Sequence, residues 1–339
     1  TYFDSVSANR RRQELISNSS SLSHGDREIL TELISAEKES QDRLKSVVEG
    51  ALENAVGLAL DELGISGKLG PFRWPPVHFV FEPSPLLLVT SPKDRIQRLD
   101  DILLEHDLDI EIKQEIESQI EEALDVSSII VKLGGIATYP AHVSNHNSLH
   151  SALVMVSHEW LHHHLFFRPL GFCCMRDPTM VSVNETVASI AGKEIGDLAF
   201  TLLTGETIGK PIQPEVSMET SGTREDQFDF RSEMRKTRIH LDELLTEGDD
   251  GQIERYLEAR RKIFVENGFN IRKLNTAYFA FYGTYGTNPA SSSPIEAQVR
   301  AIRSAAGDLS VFLTRVSSVS SYEDLEGLAR DSGWTSNNG

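Results

Sequence analysis

Apolar residues recur every three to four positions between charges across residues 26–63, through Ile29, Leu33, Leu44, Val47, Val48, Leu52, Val56 and Leu60. This spacing predicts one long helix or two shorter ones. Residues 64–76 are rich in Gly and Pro and read as a break. Beyond it, 77–81 and 86–89 are apolar runs of strand length. Across 94–124 acids alternate with Ile and Leu at helical spacing, and Glu115, Glu117, Glu121 and Glu122 read as a solvated helix face. Residues 128–139 are β-branched and predict a strand that Pro140 ends or confines to an edge, followed by a polar loop at 144–147.

The stretch 149–167 is apolar on nearly every side apart from its histidines, which predicts a buried central helix ended by Arg168-Pro169-Leu170-Gly171. A second buried helix is expected over 183–203 and a long loop over 205–222. Charged amphipathic helices follow over 228–267, then a Gly, Ser and Pro segment over 283–294 and a last helix over 296–316. No repeat with a period of 20–50 residues is present. The pattern predicts an α+β fold, mainly α-helical, with a small sheet. Its parts are an N-terminal helical segment (1–70), a central core (71–215) and a C-terminal helical lobe (216–339).

Composition narrows the function. The 339 residues are 39% apolar and 25% charged, as in a folded globular protein, and the net charge of −18 disfavours nucleic acid and anionic membranes. The chain has no apolar run of 18 residues and begins at Thr1, so it reads as a fragment whose natural N-terminus, with a possible export signal or anchor, is missing. Its compartment is not legible. Cys173 and Cys174 are adjacent and the only cysteines, so they read as small buried apolar residues rather than a disulfide framework or zinc knuckle. The triplets starting at Asn18 and Asn184 fit the glycosylation sequon, a pattern common by chance.

The chemistry concentrates in His158-Glu159-Trp160-Leu161-His162. On a helix, positions four apart share a face, so both imidazoles can reach one ion. Glu159, one step round, is placed to hold a water and take its proton. A chain of this composition contains HExxH by chance about three times in a hundred, so context matters. The bland alternative, a histidine-rich core helix, would bury these groups without a metal at several kcal/mol for each unpaired charge. His163 and His164 lie roughly 100° and 200° round from His162 and are expected to pack or support rather than ligate.

One zinc ion needs a third protein ligand. Glu185 and Glu194, nine residues apart on the next helix, face opposite sides. Glu185 leads a stripe of small residues, Ala188, Ser189, Gly192 and Gly196, that would let a second helix come close. Glu194 shares its side with Val187, Ile190, Ala191 and Leu198, and would need a basic partner such as a spare histidine or a C-terminal arginine. Glu185 is therefore the expected ligand.

The pair HEWLH and NETVAS resembles the gluzincin metallopeptidases, in which a Glu on the following helix completes a His, His, Glu site. The gap between the two motifs is a few residues longer here than in the best-studied members. A second stretch, from Arg260 through Leu274-Asn275-Thr276-Ala277-Tyr278 to Gly283-Thr284-Tyr285, is similar to the C-terminal part of predicted bacterial aminopeptidases of this type. The resemblance implies a zincin-like metallopeptidase core and hydrolysis of a peptide or protein substrate, with an aminopeptidase preferred. It also implies a Tyr or His that donates to the oxyanion. Tyr285 and Tyr282 are favoured over Tyr278, with aromatic packing the alternative for each. Residues 134–139 would be an edge strand, either ordinary or one that a peptide can extend. Two rivals stand: a non-catalytic binding or scaffold protein with a structural metal, and a zinc hydrolase of a non-peptide amide.

Overall fold

The computed structural model describes residues 2–18, 22–65, 67–70, 72–144, 148–174, 177–207, 228–248 and 250–335. Most of the loop expected over 205–222, part of the loop over 144–147, the rest of the Asn18 sequon, and the side chains of Cys173 and Cys174 lie outside the described residues.

Helix α1 (Tyr2–Asn18) precedes the stretch where the apolar spacing is regular, and it packs on α2 (His24–Glu62). A capping box opens α2. The Ser23 hydroxyl accepts from the Asp26 backbone N–H at 3.2 Å, and the Asp26 carboxylate accepts from that of Ser23 at 3.3 Å. The helix is continuous, but its apolar set divides. Leu52, Val56 and Leu60 are buried in the main core, whereas Ile29, Leu33, Leu44 and Val47 are exposed.

Strands β1 (Gly67–Leu69) and β2 (Phe72–Trp74) form a hairpin where the sequence reads as a break. There follow β3 (Phe79–Phe81), β4 (Leu86–Ser91), β5 (Asp101–Leu104), helix α3 (Ile110–Leu124), β6 (Ser127–Lys132), β7 (Gly135–Ile136) and β8 (Ala141–Val143). The strands lie in three small sheets, the hairpin, β5-β4-β6 and β3-β8-β7.

Two expectations are corrected here. The helix expected over 94–124 begins only at Ile110, because residues 101–104 pair antiparallel with β4, Leu103 opposite Leu87. The strand expected over 128–139 splits, β6 pairing with β4 and β7 with β8.

Side chains alternate along β4, and both of its faces are covered. Leu86 and Leu88 join Ile130 under Ile116 and Ile120 of α3, while Leu87 and Val89 join Ile129 and Val131 on the other face. Glu117 does not belong to a solvated face. It is 1% exposed and accepts from the Ile130 backbone N–H at 2.6 Å and from Arg272 Nη1 at 2.7 Å, with Lys273 Nζ at 3.5 Å.

The second half is helical: α4 (Leu149–Phe166), α5 (Pro169–Cys174), α6 (Pro178–Thr204), α7 (Phe230–Glu247), α8 (Asp250–Glu266), α9 (Thr276–Tyr282), α10 (Ile295–Ala305), α11 (Leu309–Val316) and α12 (Tyr322–Asp331). The last helix expected over 296–316 is two. Gly307, at φ +76°, interrupts it, and the Asp308 side chain caps α11 through the Val311 backbone N–H at 2.8 Å. The main core joins α2, α4 and α6 to α10, α11 and α12, and a second cluster lies between α7, α8 and the segment 271–290.

At the centre α4 and α6 touch backbone to backbone. A Cβ on Gly192 would stand 2.9 Å from His158 Cα, and one on Gly196 would stand 2.6 Å from Val154 Cα. Backbone atoms cannot swing aside, so Gly196→Ala should cost about 1–3 kcal/mol. The matched change Gly50→Ala, on a part of α2 with nothing within 4 Å, should instead stabilise by about 0.5–1 kcal/mol. Denaturant midpoints of the two variants check the contrast.

Candidate metal centre

The close contact of α4 and α6 sets the site. His158 and His162 lie one turn apart on α4, their Nε2 atoms 3.1 Å from each other. Glu185, from α6, brings Oε2 to 3.3 Å from His158 Nε2 and Oε1 to 3.6 Å from His162 Nε2. A tetrahedral ion at about 2.0–2.1 Å from each ligand would hold ligand atoms roughly 3.3 Å apart, and the three separations bracket that value. The Glu185 Oε2 atom is buried and accepts no aligned hydrogen bond, although it lies close to His158. This orphaned oxygen, two imidazole nitrogens facing it, and the spacing all fit a metal ion, and the three residues could hold one.

The three side chains are 14, 17 and 21% exposed, so solvent still touches the group, and no fourth His, Cys, Asp or Glu joins it among the described residues. His162 is oriented from behind, its Nδ1 lying 2.7 Å from Asn184 Oδ1. Asn184 is thus buried and engaged, which makes its sequon unusable in the folded chain.

Burial drives His162 down to about 4, His158 and His163 adding to the effect while Glu185 opposes it. Burial acts the same way on His158, but the Glu185 carboxylate, 3.3 Å away and negatively charged, outweighs it and raises its pKa. For Glu185 burial favours the neutral acid, yet the two histidines, with Arg98 adding a little, hold its pKa below the ordinary value.

Glu159 stands apart from the ligands. Burial pushes its pKa up to about 7, the His158 charge opposing and that of Glu185 assisting. The residue is 5% exposed, and its carboxylate accepts no hydrogen bond among the described residues. Strand β7 runs against it, since a Cβ on Gly135 would collide with Glu159 Oε1. β7 is also the outer strand of its sheet, paired on one side with β8.

The neighbouring histidines have other occupations. His163 Nε2 lies 2.7 Å from the Thr138 carbonyl oxygen, and His164 stacks on Trp160 with ring centroids 5.2 Å apart. Glu194 points away from the site and is held by Arg303 of α10 through two bonds of 2.8 Å.

The two tyrosines part company. Tyr285 lies in the turn after α9, and the adjacent Gly286 backbone N–H donates to Thr186 Oγ1 at 3.1 Å, one residue from Glu185. Burial and the Glu185 charge hold its hydroxyl well above the usual tyrosine value, with Arg98 opposing and Glu159 assisting. Tyr282 is raised by burial and pulled back by Arg272, and it packs against Tyr278 with ring centroids 4.4 Å apart and the planes tilted by 44°.

Sequence reasoning did not single out Asn184 as a support, Thr186 and Gly286 as the anchor of Tyr285, or Arg98. Asn184 had a readable signal, since it precedes Glu185 and sits one helical turn before Ala188. Arg98 and Gly286 reach the site only through tertiary contacts.

These positions give a graded expectation. Glu185→Ala should lower metal affinity by more than roughly 100-fold and Asn184→Ala by about 10–100-fold. Glu194→Ala should leave affinity within about twofold and cost at most about 1 kcal/mol, since its ion pair is partly solvated. Zinc titrations and melting curves of the three variants decide it, and a reversal between Glu185 and Glu194 would move the ligand. No protein family, curated protein or solved structure matches the chain, so the chemistry of this centre has to be argued from its own residues.

Proposed function

We propose that the chain is a zinc-dependent peptidase with a zincin-like core built on α4, α6 and the β3-β8-β7 sheet. The observation that carries this reading is the buried residue Glu159, its carboxylate without a hydrogen bond among the described residues, beside a three-residue group of only intermediate burial that could hold a metal. A structural metal site has no use for such an acid, which costs stability when it ionises without a partner. The donor set of two imidazoles and one carboxylate suits zinc with one position left for water.

Zinc held by His158, His162 and Glu185 would polarise a substrate carbonyl and acidify a bound water. The remaining steps fall to the chain. Glu159, with a pKa near neutrality, accepts the proton of the water that attacks the carbonyl carbon and returns it to the departing amine nitrogen. Tyr285 donates its hydroxyl to the oxygen that gains charge. It is the tyrosine whose titration responds to Glu185 and Glu159. The outer edge of β7, lying against Glu159, offers backbone groups with which an extended peptide can pair.

The protein should retain about one zinc per chain after incubation and desalting, as read by elemental analysis. Retention of none would remove the reading. Glu159→Gln should keep the zinc and lose roughly 100-fold or more in hydrolysis of a peptide library. Tyr285→Phe should lose roughly 100-fold with metal content intact, whereas Tyr282→Phe should stay within a few-fold of wild type. An active Glu159→Gln enzyme would show that another group takes the proton.

A further inference from the structure

A guanidinium stands two ring contacts from the candidate site, by way of Phe281 and Tyr285. Arg98 lies between β4 and β5, its Nε 2.7 Å from Asp101 Oδ1 and its Nη2 2.6 Å from Asp101 Oδ2. Its guanidinium carbon stands 5.4 Å from the centroid of the buried Phe281 ring, and that ring is 5.9 Å from the ring of Tyr285. Asp101 thus fixes one edge of the guanidinium and Phe281 one face. Nη1, on the other edge, has no partner among the described residues. The side chain is 29% exposed, and its charge reaches both Glu185 and Tyr285.

A partly solvated pair such as Arg98–Asp101 contributes little stability, at most about 1 kcal/mol. What it does is orient a planar fork whose free edge matches a carboxylate. An enzyme that holds a substrate's α-amine would need an acid in this place. What stands beside the Phe281–Tyr285 ring pair here is a guanidinium. In a chain of net charge −18, one cation held at the metal centre is a selective element for an anionic substrate group.

We infer that Arg98 is a specificity-determining residue that binds the free carboxylate of a peptide substrate, so that cleavage falls near the C-terminus. The inference rests on the zinc-peptidase reading. Arg98 takes no part in the bond-making steps. It selects peptides whose terminal carboxylate lies within reach of its Nη1 edge.

The test uses the zinc-loaded full chain and two probes, a dipeptide hydroxamate ending in a carboxylate and its carboxamide counterpart, with affinities measured by calorimetry. Wild type should bind the acid at least about tenfold more tightly than the amide, the worth of one charge-assisted pair. Arg98→Gln should abolish the preference by weakening the acid alone, with zinc content and melting temperature unchanged, and Arg98→Lys should restore part of it. Equal affinities in wild type, or equal weakening of both probes in Arg98→Gln, would overturn the role of Arg98 and leave the peptidase reading standing. A zinc-loaded protein that binds neither probe and cleaves no peptide would overturn both.

Discussion

Everything at the centre depends on how closely two helices approach. The motif on α4 supplies two imidazoles to any ion, but a third ligand from α6 can join them only if the backbones nearly touch. Gly192 and Gly196 permit that contact, with His158 Cα and Val154 Cα standing where a side chain would be. The interior is packed like a crystal and does not absorb an extra methyl group at such a point without moving a helix. The geometry of the His158, His162 and Glu185 group and the packing of the core are therefore one constraint here, and the glycines serve that group through the backbone.

A second constraint acts over a longer stretch of chain. Tyr285 reaches the site because the segment before α9 is fastened to the β5-β4-β6 sheet and its covering helix. Arg272 binds buried Glu117, Asn275 Nδ2 donates to the Ser128 carbonyl at 2.8 Å, and Thr276 Oγ1 donates to that of Pro92 at 2.8 Å. The turn after α9 then docks on Thr186 through Gly286. A buried acid such as Glu117 is costly unless paired, so its three partners fix α3, β6 and residues 272–273 as a unit. The same sheet carries Arg98 in the connection from β4 to β5, so one scaffold delivers both groups to the metal centre.

This division explains what the chain alone reveals. Regular apolar spacing is local, and it places α2, α4, α6, α7 and α8, whereas α9 and α12 were not expected and α10 with α11 was read as one helix. The meeting of His158, His162 and Glu185 was also legible, since the i, i+4 histidines and the small-residue stripe after Glu185 are read along a helix without tertiary information. β5 was hidden, because Ile96, Leu99 and Leu103 keep helical spacing while the pairing partner lies across a turn in β4. β7 and β8 are two and three residues long, too short to carry a period. Glu117 looked solvated because its run is acidic, and the basic residues that bury it lie 155 and 156 positions away. Arg98 stayed invisible for the same reason, as one arginine among several until Phe281 and Asp101 hold it still.

The charge arrangement also accounts for the way the centre can stay folded without drawing its groups apart. Glu185 carries the negative charge, His158 is the histidine that gains affinity for a proton from it, and His162 is pushed toward the neutral form. One positive and one negative group then offset each other in a cleft where two unpaired charges would be expensive. A metal ion held by the same atoms would replace that single proton. Binding therefore requires His158 to lose its proton, and affinity falls as pH drops through its raised pKa. Glu159 is excluded from the exchange because it faces β7 instead of the nitrogens. Its carboxylate therefore stays outside the ligand set, although its pKa still responds to the charges of His158 and Glu185.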